Sequence, residues 1–204
     1  MSFYETRILP WLLDLAMRQR QLVPYRERML AAARGRVLEV GVGSGLNLPL
    51  YGPAVAQVYA IDPSPELLRL ARGRAADAVA PVLLTRASAE RLPFADGVFD
   101  TVVTSWTLCS IPDAPRALRE MRRVLRPAGR LLFVEHGLAA EPGVARWQHR
   151  LTPCWRRLSG GCHLDRGIDD LIRSAGFDIV QLHTGYMRGP KPMTYMYEGQ
   201  ARPA

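Results

Sequence analysis

The chain has 204 residues, 48% hydrophobic and 23% charged, with 27 basic against 19 acidic residues and a net charge of +8. That length fits one domain able to bury its own core, and the composition excludes a disordered chain. The longest wholly apolar stretches, 8–13 and 78–84, fall far short of the roughly 20 residues that a spanning helix needs.

Glu5 and Arg7 precede the first apolar run and Asp14 interrupts it, which argues against a secretory signal. Cys109, Cys154 and Cys162 lack the spacing of a disulfide framework, so a cytoplasmic chain with reduced thiols is expected. Lys191 is the only lysine. The arginines are spread along the chain, and Arg119, Arg122, Arg123 and Arg126 fall at helical spacing. They read as a solvated helix face, and no nucleic-acid partner is expected.

Residues 3–33 carry Phe3, Ile8, Trp11, Leu12 and Leu15 at helical spacing, with interruptions at Pro10 and Pro24. The pattern predicts an N-terminal unit, residues 1–34, of two helices packing over the site as a lid. The alternative is an interfacial anchor in peripheral contact with an anionic membrane. A strand over 36–41 then enters a glycine turn, a short helix near 46–51 and a second strand over 55–61. Ser64 as N-cap with Pro65 behind it opens a helix to about residue 78. Strands over 82–85 and 99–104 precede a helix capped by Asp113, which reaches Arg126 and stops at Pro127-Ala128-Gly129.

A strand over 130–135 follows. Residues 141–164, with Trp147, Trp155 and the Gly160-Gly161 pair, read as an insertion beside the acceptor site. Asp165 is expected to cap a helix running to Ala175, before two strands near 178–184 and 193–201 that form an antiparallel hairpin. The alternation predicts an α/β fold over 35–204: a Rossmann-like, seven-stranded, mostly parallel sheet with helices on both faces.

The informative stretch is Val37-Leu38-Glu39-Val40-Gly41-Val42-Gly43-Ser44-Gly45. An apolar strand runs into a turn with three alternate glycines, which let backbone approach a ligand closely. Such a turn, at the carboxyl end of the first strand, is where open α/β sheets bind nucleotides. The spacing differs from G-x-G-x-x-G and no Walker lysine follows, so a nucleoside without phosphates is expected. Asp62 ends the second strand about 20 residues on, placed to accept from ribose hydroxyls.

These residues resemble the class I S-adenosylmethionine-dependent methyltransferases. Ser88-Ala89-Glu90-Arg91-Leu92-Pro93-Phe94, Asp96-Gly97-Val98-Phe99-Asp100 and Leu125-Arg126-Pro127-Ala128-Gly129-Arg130 extend the likeness over roughly 35–136. The resemblance implies S-adenosylmethionine held by Glu39, Gly41, Gly43, Gly45, Asp62, Pro63, Ser88, Ala89, Glu90 and Ser105. Ser88 stands where the family usually has an aspartate that accepts from the adenine amine, which implies a weaker contact there.

A narrower likeness rests on Thr107-Leu108-Cys109-Ser110-Ile111, Phe133-Val134-Glu135-His136, Trp147-Gln148 and Gly161-Cys162-His163-Leu164 with Arg166. It is similar to the methyltransferase-like thiol methyltransferases of animals and their bacterial relatives. It implies methylation of sulfide or a small alkyl thiol, with His136 and His163 shaping or deprotonating the acceptor. Trp106, Cys109, Trp147, Cys162 and Tyr195 would wall its pocket. The family's N-terminal anchor has no counterpart here, so its location does not carry over.

Transfer to a phospholipid amine or a quinone is the alternative, and a non-catalytic cofactor-binding module a remote one. Cys109 and Cys162 could approach as soft ligands, but without a C-x-x-C pair they are expected to be small apolar residues of the pocket, with no metal.

Overall fold

The computed structural model describes residues 4–204, and Phe3, counted above in the N-terminal apolar pattern, lies outside them. A π-type turn, Tyr4–Ile8, leads into α1 (Leu9–Met17), a 3-10 turn (Arg20–Leu22) and α2 (Val23–Leu30). The core alternation follows as β1 (Gly35–Val40), a 3-10 turn (Leu48–Leu50), β2 (Val55–Asp62), α3 (Pro65–Ala75), β3 (Val82–Arg86), β4 (Phe99–Ser105), α4 (Ala114–Val124) and β5 (Leu125–His136). The chain closes with α5 (Pro142–Leu158), α6 (Ile168–Ser174), β6 (Phe177–Tyr186), α7 (Lys191–Thr194) and β7 (Tyr195–Pro203).

The seven strands form one sheet in the order β3-β2-β1-β4-β5-β7-β6. β3 through β5 are parallel, whereas β7 runs antiparallel to both β5 and β6. Successive side chains of a strand point to opposite faces, and these strands are apolar on both. Leu38, Val102, Leu131 and Phe133 therefore join one buried cluster with Leu118, Met121, Ile168 and Ile172 of α4 and α6. Val37, Val103, Leu132 and Val134 join the other, with Met29, Leu30, Leu68 and Ala71 of α2 and α3. β1 lies between β2 and β4, so the chain changes direction across the sheet at β1, and a crevice opens beyond the carboxyl ends of β1 and β4.

Local chemistry sets the helix starts. Ser64 Oγ accepts from Leu67 N at 3.3 Å with Pro65 in the first turn of α3, and Asp113 Oδ1 accepts from Arg116 N at 3.0 Å to start α4.

Several sequence expectations change. Pro10 and Pro24 occupy the first turns of α1 and α2 rather than breaking a helix, because a first-turn N–H has no intrahelical acceptor to lose. The short helix near 46–51 is a single 3-10 turn. Asp165 does not cap α6: Gly167 stands at its N-cap, while the Asp165 carboxylate lies 3.0 Å from His149 Nδ1 and 3.7 Å from His163 Nδ1. Residues 141–164 are mainly the long helix α5, which carries Pro153 inside it. Among the described residues no helix is long and apolar enough to cross a membrane.

Candidate active site

A cavity of about 350 Å³ occupies the crevice, within the range of small-molecule sites. Its polar wall comes from the glycine turn (Gly41 to Ser44), Asn47, Asp62 to Ser64, Ser88 to Glu90 and Ser105. Its apolar wall comes from α1, through Leu9, Pro10, Leu13 and Met17, and from Trp106 and Ile111.

Asp62 is 6% exposed, and its two carboxylate oxygens accept separately: Oδ2 from Gly43 N and Oδ1 from Ser64 N, each at 2.9 Å. Burial raises its pKa, which the two backbone N–H groups partly offset. Each carboxylate oxygen has a second lone pair, so the group can accept from a pair of vicinal hydroxyls in the cavity. Gly43 has φ +55°, and a Cβ built there would meet no protein atom within 4 Å, although the residue lines the cavity. The turn thus presents bare backbone to a cradle that any side chain would fill. A nucleoside fits this donor set, with its vicinal hydroxyls on Asp62 and its body along the bare turn.

Glu39 stands behind this wall rather than on it. At 1% exposure its carboxylate accepts from Asn47 Nδ2 at 2.8 Å and from Tyr51 Oη at 2.9 Å. Burial pushes its pKa up to about 7 despite those bonds and the nearby Arg26 charge. Asn47 is the residue that reaches the cavity. Its Nδ2 also donates to Ser105 Oγ at 3.0 Å, and its Oδ1 accepts from Arg26 Nη1 at 3.2 Å.

Arg26, 5% exposed, stacks its guanidinium 4.6 Å from the centre of the Trp106 ring and donates to Met17 O at 3.0 Å. Burial lowers its pKa to about 10, which still leaves it cationic at neutral pH. Trp106 adopts φ +49°, a left-handed conformation rare for a bulky residue and held at this wall by its N–H to Val134 O at 2.8 Å.

α1 is tied to the glycine turn by Asp14. This 5% exposed carboxylate pairs with Arg18 and, at 2.9 Å, with Arg74, whose guanidinium also donates to Ser44 O. Burial works against the charged form of Asp14, but the bonds with Ser44 and Arg18 and the charges of Arg74 and Arg18 outweigh it and hold the pKa low.

The other expected site residues are distributed unevenly. Gly41, Gly43, Asp62, Pro63, Ser88, Ala89, Glu90, Ser105 and Trp106 line the cavity, whereas Gly45 turns the chain just behind it. His136, His163, Cys109, Trp147, Cys162 and Tyr195 are not in the lining. His136 Nε2 faces Cys162 Sγ at 2.9 Å instead. Burial and the charges of Arg166 and Arg156 hold the His163 pKa below its ordinary value, against the opposing pull of Asp165. Trp147 is 57% exposed on the outer face of α5, and Tyr195 packs edge-on between Tyr186 and Tyr197. From residues 141–164, Gly160 alone reaches the cavity.

Sequence reasoning did not single out Asp14, Arg26, Asn47 or Tyr51. Nothing in their spacing marks them, since the contacts that bring each to the site, such as Asp14 with Arg74 and Arg26 with Asn47, span different elements. It likewise did not assign Glu135, whose fully buried carboxylate accepts from Thr104 Oγ1 and from the N–H groups of Thr107 and Leu108 at 2.9–3.1 Å. That carboxylate fixes the turn on which Trp106 sits.

Comparison with known proteins agrees with this geometry. The family model described as a methyltransferase domain matches residues 38–133. The human thiol S-methyltransferase TMT1B is 33% identical over 184 residues, covering 83% of this chain and 70% of its own. The phosphatidylethanolamine N-methyltransferase of Cereibacter sphaeroides is 36% identical over 159 residues, covering 74% of this chain and 73% of its own. Among solved structures, a SAM-dependent methyltransferase from Methanosarcina mazei superposes with a TM-score of 0.67 at 22% identity, over 82% of this chain and 92% of its own. That likeness establishes the fold.

Proposed function

Because the chain belongs to the S-adenosylmethionine-dependent methyltransferases and uses that cofactor as its methyl donor, we infer that it transfers the methyl group to a small sulfur nucleophile, sulfide or an alkyl thiol. Bound S-adenosylmethionine supplies an electrophilic methyl group on a sulfonium that is already a good leaving group. Asp62 would accept from the ribose hydroxyls, the Gly41 to Gly43 backbone would lie along the nucleoside, and Ser88 to Glu90 would border the adenine. Asn47 and Ser105, braced by Glu39, would receive the amino-acid end.

The observation that carries the sulfur reading is the charge pattern of the acceptor wall. Arg26 places a buried cation beside an otherwise apolar surface of Leu9, Leu13, Met17 and Trp106. The acidic groups nearby are already engaged, Asp14 by two arginines, Asp62 by backbone N–H groups and Glu39, which also feels the Arg26 charge, by Asn47 and Tyr51. No histidine or lysine lines the cavity among the described residues. Such a wall suits an acceptor that ionises without a positioned base. Hydrogen sulfide does so near neutral pH and a thiol at about 8.5 or above, where a nearby cation brings it down, and the thiolate is the nucleophile. The cation favours that anion, and the remaining contribution of the protein is alignment of sulfur and methyl. The likeness to a thiol S-methyltransferase supports the same acceptor class.

A phospholipid amine, or a quinone, is the second reading. α1 lines the cavity with one face while Trp11 and Leu15 on the other are 61% and 54% exposed, with Ile8 and Leu12 beside them. This apolar stripe would suit a docking surface next to the cavity mouth, and the relative from Cereibacter sphaeroides is named for a phospholipid acceptor.

The test is S-adenosylhomocysteine release, followed by mass spectrometry, with sulfide, methanethiol, a longer alkyl thiol, phosphatidylethanolamine and a quinol. Turnover confined to the sulfur acceptors is expected. Turnover on the lipid or quinol alone would overturn the sulfur reading, and sedimentation with anionic vesicles would then examine the α1 stripe.

A further inference from the structure

Three soft donors from distant parts of the chain converge where β5 ends. Cys109 Sγ, His136 Nε2 and Cys162 Sγ all lie within 4.8 Å of one another. Cys109 is 2% and Cys162 8% exposed, and both are free thiols. Their backbone is fixed independently of the side chains. His163 N donates to Cys109 O at 2.8 Å, Arg166 Nη1 donates to Leu108 O and to Ile111 O, and Gln148 Nε2 donates to Gly137 O at 2.9 Å.

The cluster itself contributes little to holding these segments together. A thiol is a weak donor and a weak acceptor, so the half-buried His136 imidazole, whose Nε2 meets Cys162 Sγ at 2.9 Å, gains only a weak bond from it. The geometry therefore does more than pack: it preorganises a Cys2His donor set, the soft nitrogen and sulfur combination suited to zinc.

We propose that Cys109, His136 and Cys162 bind Zn²⁺, with a neutral water molecule completing the tetrahedron. The ion replaces the S–H proton on each cysteine and takes the lone pair of the neutral imidazole, so Zn²⁺ enters and two protons leave to solvent. Two thiolates balance the dication, and the buried site carries no net charge, which is the condition for burying ions at low cost. The present 2.9 Å between His136 Nε2 and Cys162 Sγ would open to about 3.5 Å, given zinc–nitrogen and zinc–sulfur bonds of about 2.0 and 2.3 Å.

The position explains what the ion would do. Cys109 belongs to the turn whose neighbours Thr107, Ser110 and Ile111 line the cavity, and Cys162 follows Gly160, which lines it from the other side. Zinc would clip the segment after α5 to the turn after β4, one residue behind the cavity wall. This site is independent of which acceptor the enzyme uses.

Reduced, tag-free, metal-free protein is titrated with Co²⁺ under anaerobic conditions. One equivalent should give the sulfur-to-cobalt charge-transfer band and the intense visible bands of tetrahedral thiolate coordination, and Zn²⁺ should bleach them and raise the melting temperature. Cys109→Ser, Cys162→Ser and His136→Ala should each lose the spectrum, while Cys154→Ser, at an exposed cysteine on α5, should keep it. Folding of every variant is checked by S-adenosylhomocysteine binding, so a collapsed variant is not mistaken for a lost ligand. Failure of the folded wild-type protein to take up one equivalent, or an unchanged spectrum in folded Cys162→Ser, would overturn the site.

Discussion

Asp62 Oδ2 accepts the N–H of Gly43 at 2.9 Å, so the end of β2 and the tip of the glycine turn are one unit. The carboxylate shapes the turn and, with its remaining lone pairs, faces the cavity the turn encloses. Asp62→Ala removes the acceptor for Gly43 and for Ser64 together with the ribose contacts proposed for it. With hydrogen bonds to charged groups contributing about 1.5–3 kcal/mol each, S-adenosylmethionine affinity should fall at least about 100-fold. Calorimetric titration reads this directly. Unchanged affinity would remove Asp62 from the cofactor site.

Gly43 and Gly45 share a left-handed backbone but should fail differently when substituted. At Gly43 an alanine costs about 1–2 kcal/mol of strain, and its methyl group points into the cavity without meeting protein. At Gly45, φ +85°, the new Cβ would stand 2.9 Å from Leu48 Cδ1 and 3.0 Å from Ala71 Cα, so overpacking adds about 1–3 kcal/mol to the strain. Gly43→Ala should lose cofactor affinity with a small drop in melting temperature, and Gly45→Ala should show the larger drop in melting temperature. Thermal melts beside calorimetry separate the two.

The reason the glycine turn was legible in the sequence, and much of its support was not, lies in the range of the interactions. β1, β2 and β4 are buried on both faces, so their apolar runs announce themselves, and the turn residues follow from local backbone needs. Ser64 and Asp113 cap helices by bonds to the residue three places on. Arg26, Asn47 and Glu39 meet only because α2 folds under the 3-10 turn after β1, and no local pattern encodes that meeting. α5 was hidden because Trp147, Trp155 and the Gly160-Gly161 pair read as an insertion beside the acceptor site rather than as a helix. His136, at the ligand end of its strand, was expected to face the acceptor. Its neighbour Cys162, brought in by the segment after α5, turns it away.

Glu39 gives the fold a pH dependence of defined sign. Its folded pKa, about 7, lies above the value of about 4.3 expected unfolded, so the folded state binds the extra proton. Its contribution is complete below the unfolded value and is lost as pH rises through about 7, a change on the order of 3 kcal/mol. Glu39→Gln, uncharged throughout, should flatten the profile: its melting temperature should gain on the wild type between about pH 5 and about pH 8. Parallel profiles for the two proteins would show that Glu39 does not titrate in this range.

Asp14 has the opposite sign and a different consequence, because it fastens α1 over the cavity. Its pKa is depressed by Ser44, Arg18 and Arg74 against the cost of burial. The ionised carboxylate therefore stabilises the packing of α1 against the cavity above its unfolded pKa of about 3.9, and that stabilisation is lost as pH falls through the lower folded value. Asp14→Asn keeps the shape but leaves Arg74 and Arg18 facing a neutral amide, which removes both ion pairs. At neutral pH the variant should exchange the backbone amides of α1 faster than the wild type, and it should bind S-adenosylmethionine more weakly because Leu9, Leu13 and Met17 no longer close the apolar wall. In acid, as the wild-type carboxylate itself takes up a proton, the two proteins should converge. Equal α1 exchange in both proteins at neutral pH would mean that helix packing alone holds α1 in place and that the ion pair contributes nothing to the closure.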